Sequence, residues 1–256
     1  MTSTPAAQQR AALPLPLHVE DVTPQWLEAA LRSRFGEVLI ESVSPGDIIW
    51  GTATKAFFTI TYAQNVSGAP ESVCVKAGFD EKLRAFGAGP AYELESAFYR
   101  DLAPTLDIPL PKAYYADAEQ NRQGVIVLED LRRRDVSFGH CLSALTADEA
   151  ASALEVLASL HAQTWGIRPG RFDWLTVGAA SIRGPVEFLL QPAQFDALAH
   201  RAGLPSLSGS LADPSEVLEG YRRMWAYGDA GEHALSHADA HVGQTYREAD
   251  GTLVFL

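Results

Sequence analysis

Residues 236–244, Ser-His-Ala-Asp-Ala-His-Val-Gly-Gln, restrict this chain more than any other segment, because they set one carboxylate between two imidazoles in a short loop. Asp239 is the carboxylate, and His237 and His241 are the flanking histidines. Loops that are held by regular elements carry a large share of the catalytic and binding residues of proteins. This loop is therefore the first candidate for a functional site.

The residues after this loop predict a β-hairpin. Residues 245–247 and 252–256 are strand-like, and the Glu-Ala-Asp-Gly stretch between them is typical of a turn. We expect the second strand to return toward the Asp239 loop.

Two more strand-like segments lie far upstream, over residues 54–62 and 71–77, with a polar turn between them. Side chains alternate along a strand, so Val73 and Val75 share one face of the second segment and Lys76 lies on the other. Lys76 closes this apolar strand. Taken alone, it fits an ordinary lysine that points into water at a strand end.

A helix is predicted to begin near residue 89, where Gly-Pro precedes apolar residues that recur every four positions. Glu93 and Glu95 lie on this helix. Spacing alone fits two solvated surface acids as well as it fits a carboxylate that pairs with a neighbouring strand.

Residues 124–131, Gly-Val-Ile-Val-Leu-Glu-Asp-Leu, form a short apolar run that ends in two acids, Glu129 and Asp130. Polar residues bound the run, which predicts a buried strand that leaves the core. Three arginines at 132–134 are followed at once by Asp135 in an acidic chain, so we interpret them as a solvated loop, in which one arginine could lie near phosphate or substrate.

A long helix is predicted from Thr146, because Thr-Ala-Asp-Glu forms a capping box. Its apolar stripe is predicted to contain Leu154, Leu157, His161 and Trp165. A lone histidine on an apolar helical face is usually a hydrogen-bonded core residue, so His161 is interpreted as structural.

Two further helices are predicted where an N-cap residue precedes proline, at Thr23-Pro24 and at Asp213-Pro214. The first seventeen residues are rich in Ala, Pro and Gln and lack a continuous apolar core. Residues 1–17 are therefore predicted to be a disordered leader.

The composition excludes several classes of partner. The chain has 256 residues and a formal net charge of −12, which disfavours nucleic acid or an anionic membrane surface. No run approaches the roughly 20 apolar residues that a membrane helix needs. Cys74 and Cys141 have no metal-ligand spacing, which predicts a reduced, cytoplasmic protein.

The Asp239 loop and its hairpin resemble the catalytic loop of the aminoglycoside phosphotransferase and choline kinase-like family, which includes ecdysteroid kinase-like proteins. That family has H-G-D-x-H-x-x-N, in which the Asp orients and deprotonates the substrate hydroxyl and the Asn holds a magnesium ion. By this resemblance Asp239 is the catalytic base and His237 is the leading histidine. Gln244 stands where the family has Asn, so it is the candidate metal ligand.

Three other segments carry the same resemblance in the expected order. Residues 95–99 are similar to the E-x-x-F-Y of the family's small-lobe helix, and residues 157–165 are similar to its L-A-x-L-H-A-x-x-W. The V-L-E-D-L stretch resembles the hinge whose backbone binds adenine. The resemblance implies that Lys76 binds the phosphates of ATP and that Glu95 holds Lys76, with Glu93 as the fallback. The hinge residues are Leu128, Glu129, Asp130 and Leu131.

The resemblance implies a two-lobed, protein-kinase-like α+β fold. Residues 18–128 would form a small lobe with an antiparallel sheet, and residues 129–256 a mostly helical large lobe. In the family a metal-binding Asp follows the second hairpin strand, and the sequence as given ends at Leu256, one residue earlier. We therefore expect the large lobe to be truncated at its C-terminus and the chain as given to be inactive.

Three functions remain open at this point. The favoured one is an ATP- and magnesium-dependent kinase that moves the γ-phosphate to a hydroxyl of a small molecule, with Asp239 as base. A nucleotide-binding pseudokinase or scaffold is the alternative, because Gln244 departs from the family. A metallohydrolase that uses His237, Asp239 and His241 would need further ligands from elsewhere. The acceptor and the oligomeric state are left open.

Overall fold

The computed structural model describes residues 13–65, 68–120, 122–176, 180–201 and 206–256. The chain divides into two compact units. The first contains Met1–Thr105 and Pro111–Arg134, and the second contains Leu106–Leu110 and Asp135–Leu256.

The first unit is built on a five-stranded sheet with the order β1-β2-β3-β5-β4, in which every neighbouring pair is antiparallel. The core residues Ala56, Phe58 and Ile60 of β2 follow the two-residue period of a strand, whereas the strand at Gln123–Glu129 is buried on both faces. The α+β class and the antiparallel sheet of the small lobe are thereby confirmed. The strands are β1 (Leu39–Ile49), β2 (Thr54–Gln64), β3 (Ser72–Ala77), β4 (Ala113–Glu119) and β5 (Gln123–Glu129).

Strand β1 lies at one edge of this sheet and is irregular. Its pairing with β2 shifts register at three places, the last of them between Pro45 and Ile48. Proline has no backbone N–H, so Pro45 cannot donate to a ladder.

The two faces of the sheet support different clusters, as the alternation of β3 predicts. Val73 and Val75 are fully buried in the main core, together with Leu27 of α1 (Pro24–Phe35). Cys74 packs on the opposite face in a second cluster that includes Phe57. Lys76 lies on that second face, two residues from Cys74 along the strand.

The N-terminus of α1 confirms its predicted start signal. The hydroxyl of Thr23 accepts a hydrogen bond from the backbone N–H of Trp26 at 3.2 Å, and Pro24 occupies the first helical position. The helix ends at Phe35 and is followed by Gly36, whose φ of 67° lies in the left-handed region that glycine adopts without strain.

The predicted leader, residues 1–17, is wrong over its last part, while residues 1–12 lie outside the described residues. Residues 13–17, here called the N-terminal strap, run along the core of the first unit. Leu15 of the strap is buried in the main cluster. The compositional argument failed because a short proline-rich segment can be held by the core without forming a helix or strand.

Hydrogen bonds from buried side chains hold the strap in place. The indole N–H of Trp26 donates to the carbonyl of Pro14, and the side-chain amide of Gln123 donates to the carbonyl of Pro16, each at 2.9 Å. Gln123 is fully buried, so these contacts satisfy a polar group that would otherwise be costly to bury.

Helix α3 (Gly89–Ala97) packs closely on β5, after the short α2 (Glu81–Ala85). Residue 124 of β5 is glycine, and a Cβ there would overlap the carbonyl of Tyr92 and the hydroxyl of Ser96, both on α3. The absent side chain therefore lets the helix backbone approach the sheet. A π-helical turn, Phe98–Leu102, continues α3 without a break.

The second unit contains a three-stranded antiparallel sheet, with the order β6-β7-β8. The predicted hairpin is confirmed as β7 (Thr245–Arg247) and β8 (Leu253–Phe255), in which Thr245 lies opposite Phe255. Strand β6 (Ser137–Phe138) pairs with β7 and was not predicted, because two residues carry no periodic signal.

Helix α4 (Ala147–Thr164) begins with the predicted capping box, formed by Thr146 and Glu149. The predicted apolar stripe is correct at Leu157, which packs half-buried against the cluster of Leu253 and Phe255, and wrong at Leu154, His161 and Trp165. The buried side chains are Ala153, Leu160 and Thr164, and Ala153 packs with Leu253 and Phe255 of β8.

Leu154 and Trp165, which were expected inside, have exposed fractions of 63% and 68% within this chain. His161 is also exposed, which corrects its interpretation as a core residue. Adjacent stripes on a helix surface are offset by one residue in sequence. The prediction chose the stripe with the larger apolar side chains, and most of that stripe is exposed.

The remaining helices are α5 (Ala180–Leu189), α6 (Pro192–Ala199) and α7 (Pro214–Asp229). Asp213 caps α7, as predicted, by accepting from the backbone N–H of Ser215 at 2.8 Å. Among the described residues, no helix has the length and apolar character to cross a membrane. Short 3-10 turns occur at Val19–Asp21, Ala103–Thr105, Leu131–Arg133, Gly209–Ala212 and Val242–Gln244.

The predicted boundary between the lobes, at 128/129, differs from the observed division, which falls between Arg134 and Asp135. The reason is that residues just after β5 pack back on the first unit. Asp130 is buried, and the guanidinium of Arg132 lies 3.4 Å above the ring centre of Phe57 on β2.

Candidate active site

Lys76 of β3 and Glu95 of α3 form an ion pair in the first unit. The Nζ of Lys76 lies 2.5 Å from Oε1 of Glu95, and their side chains have exposed fractions of 12% and 29%. A charge-assisted bond of this kind is stronger when it is partly removed from water. Because Gly124 lets α3 approach the sheet, the helix can present Glu95 to a lysine on the strand.

A second lysine, missed in the sequence, lies beside this pair. Lys55 of β2 is directly opposite Lys76 of β3 in the antiparallel register. The pKa of Lys55 is lowered, first by burial and then by the positive charge of Lys76. A prediction of how β2 pairs with β3 across the turn between them could have revealed Lys55, because that pairing places Lys55 opposite Lys76.

The hinge residues leave β5 in a compact turn. The side chain of Asp130, 1% exposed, accepts hydrogen bonds from Arg132 at 2.9 Å and 3.0 Å. Arg132 also reaches Asp47 at 2.8 Å while it stacks on Phe57. The interpretation of this arginine as part of a solvated loop is therefore wrong: it joins the hinge to β2 and to the end of β1.

Electrostatics keep Asp130 ionised. Burial alone would raise the pKa of this carboxyl, but the hydrogen bonds and positive charge of Arg132 outweigh that effect and lower it below the ordinary value. Asp130 thus acts as a fixed anion that orients Arg132.

The other hinge residues contribute mainly backbone groups. Glu129 donates its N–H to the carbonyl of Lys112 at 2.9 Å, and its side chain accepts from the N–H of Lys112 at 2.9 Å. The carbonyl of Leu131 accepts from the N–H of Arg134 at 3.1 Å. Among the described residues, none accepts from the N–H of Leu131. Leu128 is buried in the second cluster, with Cys74.

Asp239 lies in a loop of the second unit and is held from two sides. The amide nitrogen of Gln244 donates to Oδ2 of Asp239 at 3.0 Å, and Nε2 of His241 lies 3.7 Å from Oδ1. The carboxylate is 66% exposed, so it is oriented and still open to solvent.

The histidine at the start of the loop has a positioning contact. The ring of His237 packs on Phe255 of β8, with 5.1 Å between ring centres, and its Nδ1 accepts from the backbone N–H of Asp239 at 3.3 Å. His237 thereby links the loop to the hairpin.

Backbone strain marks the same loop. Ala238 has a φ of 66°, in the left-handed region that disfavours residues with a Cβ. Strained residues persist where the surrounding structure holds them, and they concentrate at functional sites. The strain immediately precedes Asp239, which supports a functional interpretation of this carboxylate.

The residues of this loop differ in their capacity to bind a metal ion. Gln244 uses its amide nitrogen on Asp239, so its carbonyl oxygen is the atom that can face a hard cation. In the described part of the chain, no group of three or more His, Cys, Asp and Glu side chains is arranged to hold a metal ion. His237, Asp239 and His241 therefore do not form the cluster that a metallohydrolase would need.

The predicted site residues fall into two sets. The structure brings Lys76 together with Glu95 in the first unit, which also holds the hinge residues. It brings Asp239 together with Gln244 and His241 in the second unit. Local motifs found both sets, whereas Lys55 and Arg132 emerged only from strand register and tertiary packing.

Comparisons with known proteins identify a related family over one segment of the chain. Residues 52–168 match the model of the Ecdysteroid kinase-like family, and this span includes Lys76, Glu95 and the hinge. The predicted relationship to the aminoglycoside phosphotransferase and choline kinase-like group, with its ecdysteroid kinase-like members, is thereby confirmed. Among solved structures, the chain is similar to a macrolide 2'-phosphotransferase type I, with 13% identity and a TM-score of 0.36. That likeness covers 90% of this chain and 68% of the other. No curated protein matches the chain.

Proposed function

We propose that this chain, which carries an ecdysteroid kinase-like segment, is part of an ATP-dependent phosphotransferase that acts on a hydroxyl group of a small molecule. The observation that carries the proposal is the ion pair of Lys76 and Glu95, 2.5 Å long, between β3 and α3. Kinases use a strand lysine held by a helix glutamate to position nucleotide phosphates. A lysine that served only solubility would have no need of a partly buried partner.

Adenine would bind along the hinge. The N–H of Leu131, which no described residue accepts, is a backbone donor at the end of β5. Leu128 and Cys74 supply an apolar surface on the face of the sheet that also carries Lys76. A flat base with donors and acceptors along one edge suits an apolar surface bordered by backbone polar groups.

Asp239 would act on the acceptor. Its carboxylate takes the proton of the substrate hydroxyl as the hydroxyl oxygen bonds to the γ-phosphorus. The bond from that phosphorus to the oxygen bridging it to the β-phosphate breaks, and ADP leaves. The contacts from Gln244 and His241 orient the carboxylate, and its exposure leaves room for an acceptor.

Magnesium fits the amide oxygen of Gln244. This oxygen is a hard ligand of the kind that magnesium prefers, and the amide nitrogen of the same side chain donates to Asp239. When bound, the ion would neutralise charge on the transferring phosphates. Gln244 would then hold both the cation and the catalytic carboxylate.

A nucleotide-binding pseudokinase is the second candidate. One observation favours it: the expected metal position is occupied by Gln244, whose side chain is one methylene longer than that of the asparagine of the family. In that case nucleotide would bind through Lys76 and the hinge without transfer. A cytoplasmic location suits either function, because Cys74 and Cys141 are both free thiols.

The test is a phosphotransfer assay on the purified protein with ATP, magnesium and a panel of hydroxyl-bearing acceptors. The panel should include an ecdysteroid, a macrolide, an aminoglycoside and choline. ADP release and the mass of the phosphorylated acceptor are measured together. Transfer that falls sharply in Lys76→Met and Glu95→Gln, and persists in the exposed control Lys82→Met, would support the kinase.

Two other outcomes decide between the alternatives. Binding of ATP that is lost in Lys76→Met, without transfer to any acceptor, would favour the pseudokinase. Transfer unchanged in Lys76→Met would overturn the assignment of Lys76 to the phosphates.

A further inference from the structure

We propose that Lys55 is a second phosphate-binding residue, which together with Lys76 recognises a chain of at least two phosphates. This inference rests on the proposed nucleotide-binding function and deepens it. The ligand class is an inorganic or nucleotide polyphosphate. The sequence motifs used above assign no role to Lys55.

Strand register places the two lysines side by side. Lys55 of β2 is directly opposite Lys76 of β3, within a ladder that runs from Thr54 to Thr59. Residues opposite each other in an antiparallel pair project from the same face, with Cβ atoms roughly 4.5–5.5 Å apart. Both ammonium groups can therefore reach one elongated anion.

Charge at this point of the sheet is not balanced. Glu95 neutralises Lys76 through the 2.5 Å ion pair. The backbone of Lys55 is paired in the sheet, but its ammonium group has no ion pair or hydrogen bond with any residue that the structure describes. Two cations and one carboxylate thus leave one positive charge at a half-buried position, where an anion would be attracted.

The arrangement is costly to the free protein. Like charges directly opposite in a sheet are destabilising. Burial lowers the pKa of Lys55 and the charge of Lys76 lowers it further, whereas Cys74 and Glu95 act in the opposite direction with smaller effect. A bound polyphosphate would remove the repulsion and replace the lost hydration with charge-assisted hydrogen bonds.

The ordinary interpretation is a lysine whose stem covers apolar surface while its end reaches water. On that view Lys55 contributes packing and solubility and has no ligand. The two interpretations predict opposite effects on anion binding, because methionine preserves the stem and removes the charge.

The test is a titration of wild-type protein, Lys55→Met, Lys55→Gln and the exposed control Lys82→Met with five probes. The probes are adenosine, AMP, ADP, ATP and inorganic tripolyphosphate. Calorimetry measures the affinity of each protein for each probe. We expect Lys55→Met to weaken ATP and tripolyphosphate binding by about tenfold or more, the loss of one charge-assisted hydrogen bond. Adenosine affinity should not change, and Lys82→Met should match wild type throughout.

A stability measurement accompanies the titration. Without ligand, Lys55→Met should unfold at a temperature equal to or above that of wild type, because the repulsion with Lys76 is gone. If Lys55→Met unfolds at a lower temperature than wild type, the same binding comparison is made with Lys55→Gln, which keeps a polar but uncharged end group.

The outcomes separate the two proposals. Wild-type affinity for tripolyphosphate in both Lys55 variants would overturn the role of Lys55 and leave the kinase function standing. A protein that binds tripolyphosphate through Lys55 and transfers no phosphate would support this inference while the kinase function fails. If the wild-type protein binds none of the five probes, both the role of Lys55 and the kinase function are overturned.

Discussion

Asp239 combines exposure with fixed orientation, which is the combination that a general base needs. Its carboxylate is 66% exposed yet contacts Gln244 at 3.0 Å, and the residue before it is strained. A group that acts on the acceptor hydroxyl stabilises the transition state and adds little to ground-state nucleotide binding.

Asp239→Asn should therefore reduce turnover far more than nucleotide affinity. We expect a loss of about 100-fold or more in kcat, the usual range for a general base. Steady-state kinetics and ATP titration measure the two quantities. Asp148→Asn, on the exposed first turn of α4, is the matched control. Equal losses of affinity and turnover in Asp239→Asn would contradict the assignment.

Asp130 makes a pH-dependent contribution to stability. Its pKa is lower in the folded protein than in the unfolded chain, because Arg132 more than offsets the effect of burial. The contribution is complete above the unfolded pKa and is lost as the pH falls through the folded pKa. Asp130→Asn should cost about 1–3 kcal/mol near neutral pH, and the difference should shrink in acid. Denaturant unfolding over a pH series measures it, and a difference that grows in acid would count against this account.

The two cysteines should differ in reactivity. Burial raises the pKa of the Cys74 thiol to about 12, with Lys55 and Lys76 acting in the opposite direction, whereas Cys141 is exposed. The thiolate is the reactive form. At pH 8 an alkylating reagent should modify Cys141 alone in the native protein, and both cysteines after denaturation. Mass spectrometry of the labelled peptides gives the answer, and rapid native labelling of Cys74 would show that the second cluster opens easily.

At the scale of elements, the close contact of α3 with β5 depends on glycine at position 124, which has no side chain. A Cβ at Gly124 would overlap the backbone of Tyr92, so Gly124→Ala should force the helix away from the sheet. We expect a loss of about 1–3 kcal/mol from overpacking, and weaker ATP binding because Glu95 moves with the helix. Thermal unfolding and nucleotide titration measure both effects.

The control for this prediction is the same substitution in open space. Nothing lies within 4 Å of a Cβ at Gly220, inside α7. Gly220→Ala should be neutral or stabilising by up to about 1 kcal/mol, because alanine favours a helix more than glycine does. If both variants lose the same stability, the close approach at Gly124 is not the cause.

The elements were predictable where a local pattern specifies them. The capping box at Thr146 and the hairpin after Gln244 depend on neighbours in sequence, and both were found. Residues whose role depends on distant partners were missed. Lys55 required the register of β2 and β3, and Arg132 required the position of Phe57.

The same contrast explains the errors in α4 and in the leader. A period of 3.6 residues identifies a helix well but separates adjacent stripes poorly, so Leu154 was placed inside. The strap shows neither the 3.6-residue period of a helix nor the two-residue period of a strand. Its position follows from hydrogen bonds to Trp26 and Gln123, which composition does not encode.

At the scale of the whole molecule, the N-terminal strap should be needed for the stability of the first unit. Its removal would leave the buried amide of Gln123 without the Pro16 carbonyl and would uncover the site of Leu15. A protein that begins at residue 18 should be less stable than one that begins at residue 13 by about 2 kcal/mol or more. Urea unfolding of the two proteins tests this, and equal midpoints would show that the strap is dispensable.

The irregular edge strand β1 has a consequence for behaviour at high protein concentration. An exposed edge with regular hydrogen-bonding groups invites another chain to add a strand, which is a common route to aggregation. The register shifts of β1 and the missing N–H of Pro45 make that edge a poor template. The first unit can therefore keep β1 at the edge of its sheet without recruiting copies of itself.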